Sequence, residues 1–303
     1  MKERMAFKGH AATAVALAWA PDGKAVASGD EDGVLKCWDP ATGKELVDSV
    51  GHAKYIWAIA YSPDGKKLAT ASADKTVKLW DAATGKARAV LGHTEDVLAV
   101  AWSADGDTLA SAGGDGVVHL WDVATEKERA ALEGRQGRLY ALAWSADGKT
   151  LASAGADGTV KLWAVATKKE IATLEGHEGG VHGLAFSPDG KLLASAGADK
   201  TVRVWDVATA KESQVLRGHT HEVWTVAFSP DGKALASGGR AASLRGKTRP
   251  GEVRLWDVAA GKESAALPRL AGEVWCVRFS PDGKTLATAS SDRIVRLWDV
   301  PRP

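Results

Sequence analysis

Between residues 51 and 91, apolar and polar side chains alternate in four short runs: Ile56 to Tyr61, Leu68 to Ser72, Val77 to Trp80 and Ala87 to Leu91. A two-residue period over runs this short is that of half-buried strands, and no helical period competes with it. Between the runs stand Pro63-Asp64-Gly65, Asp74-Lys75 and Thr84-Gly85, which supply the backbone angles of tight hairpins. The segment therefore predicts four antiparallel strands, a to d in chain order. The same grammar runs through the whole chain. An Asp-Gly pair follows strand a at Asp22, Asp64, Asp105, Asp147, Asp189, Asp231 and Asp282, and strand c ends on Trp38, Trp80, Trp121, Trp163, Trp205, Trp256 and Trp298. A unit of roughly 40 residues cannot close a core of its own, so the seven units must bury one another, as a ring or as an open stack.

The two ends of the chain favour the ring. The last unit stops after its third strand, at Trp298-Asp299-Val300, while Arg4 to Phe7 precedes Gly9-His10 as a fourth strand precedes each other such pair. The first strand can complete the last unit, which leaves no sheet edge between first and last.

Six of the seven tryptophans are followed by Asp, with Ala164 after Trp163, and five units carry a Gly-His pair upstream of the Trp. On these residues the chain resembles the WD-repeat family of β-propellers from about Arg4 to Val300. The resemblance implies an all-β fold, a seven-bladed β-propeller of four-stranded antiparallel blades, as one domain over residues 1–303, closed by the N-terminal strand. The repeated Ser-Pro-Asp-Gly-Lys phrases resemble bacterial WD-repeat proteins, in which such propellers are often joined to kinases or NTPases. Ends that coincide with ring closure fit a domain taken from a protein of that kind.

A Ser or Thr stands on strand b of each unit, at Ser28, Thr70, Ser111, Ser153, Ser195, Ser237 and Thr288, and Asp32, Asp74, Asp115, Asp157, Asp199 and Asp292 lie six residues before their Trp. With His10, His52, His93, His177 and His219 they assemble Ser, His and Asp in a way that invites a hydrolase reading. An enzyme needs one activated nucleophile beside an oxyanion site, whereas a structural staple can recur in every blade. In the family this set is a relay from Asp to His to hydroxyl to indole N–H, and it looks complete in units one, two, three and five. Unit four has Arg135 in the His position, unit seven has Leu270, and unit six has Pro250 in place of the Asp, so these three are expected to rely on packing or on other partners.

Ten of the thirteen tryptophans are accounted for, since Trp19, Trp102 and Trp144 share a strand-a core position with Tyr61, Phe186, Phe228 and Phe279. Trp57, Trp224 and Trp275 remain, at an offset that elsewhere carries Val15, Leu98, Tyr140 and His182. In the family this offset lies near the central channel, on the face of the d–a and b–c loops, the usual partner surface. Two residues earlier come Thr13, Tyr55, Asp96, Arg138, Gly180, Glu222 and Glu273, which differ from unit to unit. Variation within an otherwise repeated scaffold marks a surface free for recognition. The competing reading packs the three rings between blades, because they share strand parity with Trp19 and Tyr61. Unit six is longer by nine residues in the stretch 239–251, which brings Arg240, Arg245, Lys247 and Arg249 to the same face, either as a solvated loop or as a basic arm for an acidic or phosphorylated segment.

Charge and composition narrow the rest. Thirty-nine basic and thirty-eight acidic residues give a net charge of +1, too little to draw nucleic acid or an anionic membrane by a long-range field. Cys37 and Cys276 read as two buried reduced thiols in a reducing compartment. The charged opening Met1 to Phe7 leads into no apolar stretch suited to a signal peptide or span, so a cytoplasmic location is expected. No phosphate loop, zinc spacing or calcium loop stands out, and His219-x-His221 is spoken for by the relay. The expectation is a monomeric, non-catalytic scaffold that binds a protein or peptide without metal or cofactor; a sensory or regulatory domain of a larger signalling protein is the alternative. An enzyme built on Asp96, His182, Glu222 and Glu273 at the channel mouth, or a purely architectural disc, stand further off.

Overall fold

A computed structural model describes residues 1–240 and 250–300. The twenty-eight strands of the described residues form seven four-stranded antiparallel sheets, each with its strands in chain order except the last. Six blades span residues 14–50, 56–92, 97–133, 139–174, 181–217 and 222–266. The seventh takes its first three strands from 274–299 and its outer strand from Glu3–Phe7. In blade 2 the strands are Ile56–Tyr61, Lys67–Ser72, Thr76–Asp81 and Ala87–Gly92, as the alternation predicts. Strands a of neighbouring blades touch around the whole circle, blade 7 against blade 1 included, so the units form a closed ring.

The closing strand is paired antiparallel to the last one, with Met5 opposite Leu297, Ala6 opposite Arg296 and Phe7 opposite Val295. Phe7 is buried and its ring stacks on Trp38 of blade 1 at 5.1 Å, so this strand also bonds the first blade to the last.

Seven apolar clusters lie between blades rather than within them. One joins Ala152, Leu162 and Leu174 of blade 4 to Val181, Leu193 and Trp205 of blade 5; another joins Phe7 and Leu297 of blade 7 to Leu17 and Trp38 of blade 1. Each blade thus hides both faces on its neighbours, which is why no unit could fold alone. Trp19, Trp102 and Trp144 fill these interfaces and add a hydrogen bond: their indole N–H groups donate to the carbonyls of Arg278, Ala60 and Ala101 in the preceding blade, at 3.2, 3.0 and 3.2 Å.

The a–b turns repeat one device. In blade 2 the Ser62 hydroxyl donates to Asp64 at 2.6 Å, Asp64 accepts the Lys66 N–H at 3.0 Å, and Gly65 takes a φ of +71° that a side chain would strain. In the first two Gly-His pairs the glycine has a different reason. A Cβ on Gly51 would lie 1.9 Å from the Trp80 ring, and one on Gly9 would lie 2.4 Å from Trp38. Both cysteines are buried free thiols, and burial pushes Cys37 up to about 11. No helix among the described residues is long and apolar enough to cross a membrane.

Candidate functional site

Every blade delivers an indole N–H to its strand-b hydroxyl, at distances from 2.7 to 3.0 Å. The partner of that hydroxyl differs between blades. In blade 2 the Thr70 hydroxyl meets His52 Nε2 at 2.6 Å and His52 Nδ1 meets Asp74 at 2.8 Å; in blade 5 the same chain runs Ser195, His177, Asp199 at 2.7 and 3.0 Å. Side chains of His10, His52 and His177 are sealed from solvent, and each hydroxyl is already engaged by an indole. These three groups resemble catalytic triads but are closed staples, with imidazole and hydroxyl both shut away from a substrate.

Two of the four expected relays need correction, and blade 6, expected to lack a carboxylate, has one. In blade 1 the carboxylate is Asp30, not Asp32: Asp30 meets His10 at 2.8 Å and also accepts the N–H groups of Asp32 and Val34, whereas Asp32 is exposed. In blade 3, His93 keeps Ser111 at 3.0 Å, but Asp115 has moved off to 4.0 Å and pairs with His119 at 3.1 Å. In blade 6, Glu252 replaces the missing Asp, 3.5 Å from His219. The unnamed partner in blade 4 is Gln136, one residue beyond Arg135. Its side-chain oxygen accepts the Ser153 hydroxyl at 2.6 Å and its amide donates to the Thr159 carbonyl at 3.0 Å. Offset counting missed these because a neighbouring side chain can reach the same point in space. Blade 7 has apolar Leu270 in the His position, buried, and retains only the Thr288–Trp298 contact.

The three unassigned tryptophans do not pack between blades. In every blade the strand-a residue at their offset falls in a β-bulge: Trp57 lies between the pairs Ile56–Ser72 and Ala58–Ala71, and Trp224 between Val223–Gly239 and Thr225–Gly238. A bulge adds an unpaired residue and re-aims its side chain, so parity with Trp19 is lost. These positions line the central channel, and a cavity of about 120 Å³ there is bordered by Trp57, Tyr140, His182, Trp224 and Trp275.

At its mouth six rings form an arc. Tyr140 meets His182 at 5.0 Å, His182 stacks flat on Trp224 at 4.1 Å, Trp224 meets Trp275 edge-on at 5.4 Å, Trp275 meets Trp57 at 6.0 Å, and Tyr55 stacks on Trp57 at 5.1 Å. Arg240 lays its guanidinium over Trp275 and Trp224, 4.4 and 4.7 Å from the ring centres, and its Nε donates to the buried Glu273 at 2.9 Å. Trp224 donates to Glu222 at 3.2 Å. Asp96 and Arg138, also expected at this face, form an ion pair between blades 3 and 4, beside the arc. The expected Arg245, Lys247 and Arg249 lie outside the described residues.

Polar capacity is left over at the mouth. Among the described residues, Trp57 Nε1, Trp275 Nε1 and both ring nitrogens of His182 are buried without a hydrogen-bond partner. Burial pushes His182 down to about 4, against the pull of Glu222 and with a contribution from Arg240. Burial also lowers His52, against its bond to Asp74; for Asp74 itself burial is outweighed by bonds from Thr76, His52 and the Ala53 N–H, which hold it at about 2.

These shifts predict acid sensitivity in two stages. An unfolded His takes a proton near pH 6.5 while folded His182 resists it down to about 4, so across that window the unfolded chain binds more protons and stability is lost as the pH is lowered. Asp74 contributes stability above the unfolded value of 3.8 that is lost as pH falls towards 2. Urea unfolding from pH 8 to 3 should show a plateau above about pH 7 and then a decline; a flat profile between pH 7 and 4.5 would refute the assignment.

A cleft of about 1020 Å³ lies on the opposite face between blades 6 and 7. It is lined by turn residues of the repeat, such as Ser229 to Asp231 and Asp282 to Lys284, and by Arg4 and Val300, and so reads as a gap between blade rims.

Comparison with known proteins agrees with the ring. Residues 57–223 match the family described as WDR19 first beta-propeller, and residues 1–39, 210–257 and 267–299 match the family described as WD domain, G-beta repeat. A curated protein from Danio rerio, apoptotic protease-activating factor 1, is 40% identical over 50 residues, 16% of this chain. The matched segment is 4% of that protein's length.

Proposed function

The chain belongs to the WD-repeat β-propeller family, whose members are typically protein-interaction scaffolds, and on that footing we propose that it binds a protein or peptide partner over the aromatic mouth without catalysis of its own. The observation that carries the reading is the set of unspent donors at Trp57 and Trp275 inside an arc of six rings. A buried donor without a partner costs about 1–3 kcal/mol, and a peptide carbonyl entering the mouth recovers that loss while burying aromatic surface. Tyr55, 38% exposed, offers its ring at the rim, and Glu222 and the Asp96–Arg138 pair frame the approach with charge. In blades 1, 2, 3 and 5 the hydroxyl of the Ser/Thr-His-Asp set is buried and already engaged by an indole N–H, which supports a binding role over a hydrolytic one.

Affinity capture with the wild-type chain and with a Trp57→Ala, Trp224→Ala, Trp275→Ala variant provides the test. The partner should be lost from the variant and kept by a control carrying Lys149→Ala on the opposite face, with the variant melting within about 5 °C of wild type. Capture that survives the triple substitution, or a collapse of the fold, would remove the arc from the binding surface.

A further inference from the structure

The weakened relay of blade 3 has a chemical counterpart. Two residues before the strand-c Trp, six blades place a permanent cation: Lys36, Lys78, Lys161, Arg203, Arg254 and Arg296. Where it pairs, this cation answers carboxylates of strand d or of the relay, as in Lys36–Glu45 at 2.9 Å, Lys161–Glu170 at 2.8 Å and Arg296–Asp292 at 2.7 Å. Blade 3 alone has a histidine there, His119, and sets it between Asp115 at 3.1 Å and Glu128 at 3.0 Å. An imidazole carries charge only when protonated, so two carboxylates face a group that is no fixed cation.

We propose that His93, Asp115 and His119 bind a divalent transition-metal ion of the zinc class. Their ligand atoms lie within 4.8 Å of one another. The two gaps to the Asp115 oxygen, 3.1 Å from His119 Nε2 and 4.0 Å from His93 Nδ1, bracket the edge of about 3.3 Å that a tetrahedron has when built on zinc–ligand bonds of roughly 2.0–2.2 Å. The outer nitrogens are held as metal-bound imidazoles require. Glu128 accepts the hydrogen bond of His119 Nδ1–H, which turns the Nε2 lone pair toward the Asp115 carboxylate, an opposition that a cation between them relieves.

His93 contributes by tautomer exchange. With its proton on Nε2, it donates to Ser111 Oγ at 3.0 Å, an oxygen that also accepts the Trp121 indole at 2.7 Å, and its Nδ1 is bare toward Asp115. The ligand set is then two neutral imidazoles and one carboxylate, and the charge of a divalent ion is balanced by Asp115 and Glu128 together. His93 is 2% exposed, Asp115 15% and His119 19%, so the site is anchored in the blade yet open on one side to a water as fourth ligand. The sequence conceals it because His93 comes from the d–a loop and Asp115 and His119 from the far end of the hairpin that follows.

Calorimetric titration of the chelator-stripped full chain with zinc chloride, together with thermal melts, tests the proposal. One zinc should bind per chain, and melting should rise by about 5 °C once free zinc reaches 100 times Kd. His119→Lys installs the residue type of blades 1, 2 and 4, so it should fold with an unchanged apo melting temperature, lose the zinc-induced rise and weaken affinity at least ~100-fold. Glu128→Gln, which removes only the partner of an outer nitrogen, should weaken it roughly 10-fold. Zinc bound equally by wild type and His119→Lys, or no stoichiometric zinc in the wild type, would overturn it.

Discussion

Deleting residues 3–7 should open the ring and lower the melting temperature by at least ~10 °C. The strand they form supplies the whole outer edge of blade 7, paired from Glu3 opposite Trp298 to Phe7 opposite Val295. Phe7 alone, buried and stacked on Trp38, is worth about 3–5 kcal/mol by analogy with Phe→Ala changes in cores. The loss would not stop there. Val295 and Leu297, both fully buried in the intact ring, would form an unpaired edge beside the first blade, a surface that invites pairing between molecules. The truncated chain should therefore also aggregate, and a synthetic peptide spanning residues 2–8 should restore part of the melting temperature in trans. Scanning calorimetry of the truncated and intact chains decides the matter; coincident melts would show that the strand closes nothing.

His52→Ala should destabilise by about 2–4 kcal/mol, Gln136→Ala by about 1–3 kcal/mol, and Arg135→Ala by less than about 0.5 kcal/mol. His52 is sealed in the blade and joins Thr70 to Asp74, so its removal leaves a buried hydroxyl and a carboxylate each short of a partner. Gln136 does the corresponding work for Ser153 with a neutral amide and without a carboxylate behind it, which makes its loss smaller. Arg135 occupies the His position in sequence but is exposed, at a φ of +55°, and touches none of the relay. Urea midpoints of the three variants give the ranking directly. An Arg135 variant as unstable as that of His52 would mean that position in the repeat, not contact, sets the energetics.

The contrast between Arg135 and Gln136 shows how far the chain could be read before its structure. Strands, turns, seven blades and the closing strand were all legible, because each rests on local chemistry repeated seven times: Asp-Gly turns, a two-residue apolar period and a Trp at a fixed place. Relay members were legible only where the repeat is unbroken, as at His52, Thr70 and Asp74. Asp30, Gln136 and Glu252 were missed because each stands one or two residues from the expected offset and still arrives at the same hydroxyl or imidazole. At the channel mouth, the identity of Trp57, Trp224 and Trp275 as surplus rings could be read, but not their direction. Parity counting assumes an unbroken ladder, and the bulge breaks it one residue before the count begins.

Those seven bulges have a consequence for how the molecule can change. Each frees one side chain from the strand pairing, so Val15, Trp57, Leu98, Tyr140, His182, Trp224 and Trp275 stand as seven settings about one axis. Exchanging one of these side chains should alter the shape and polarity of the opening while the strand pairing beneath it is kept.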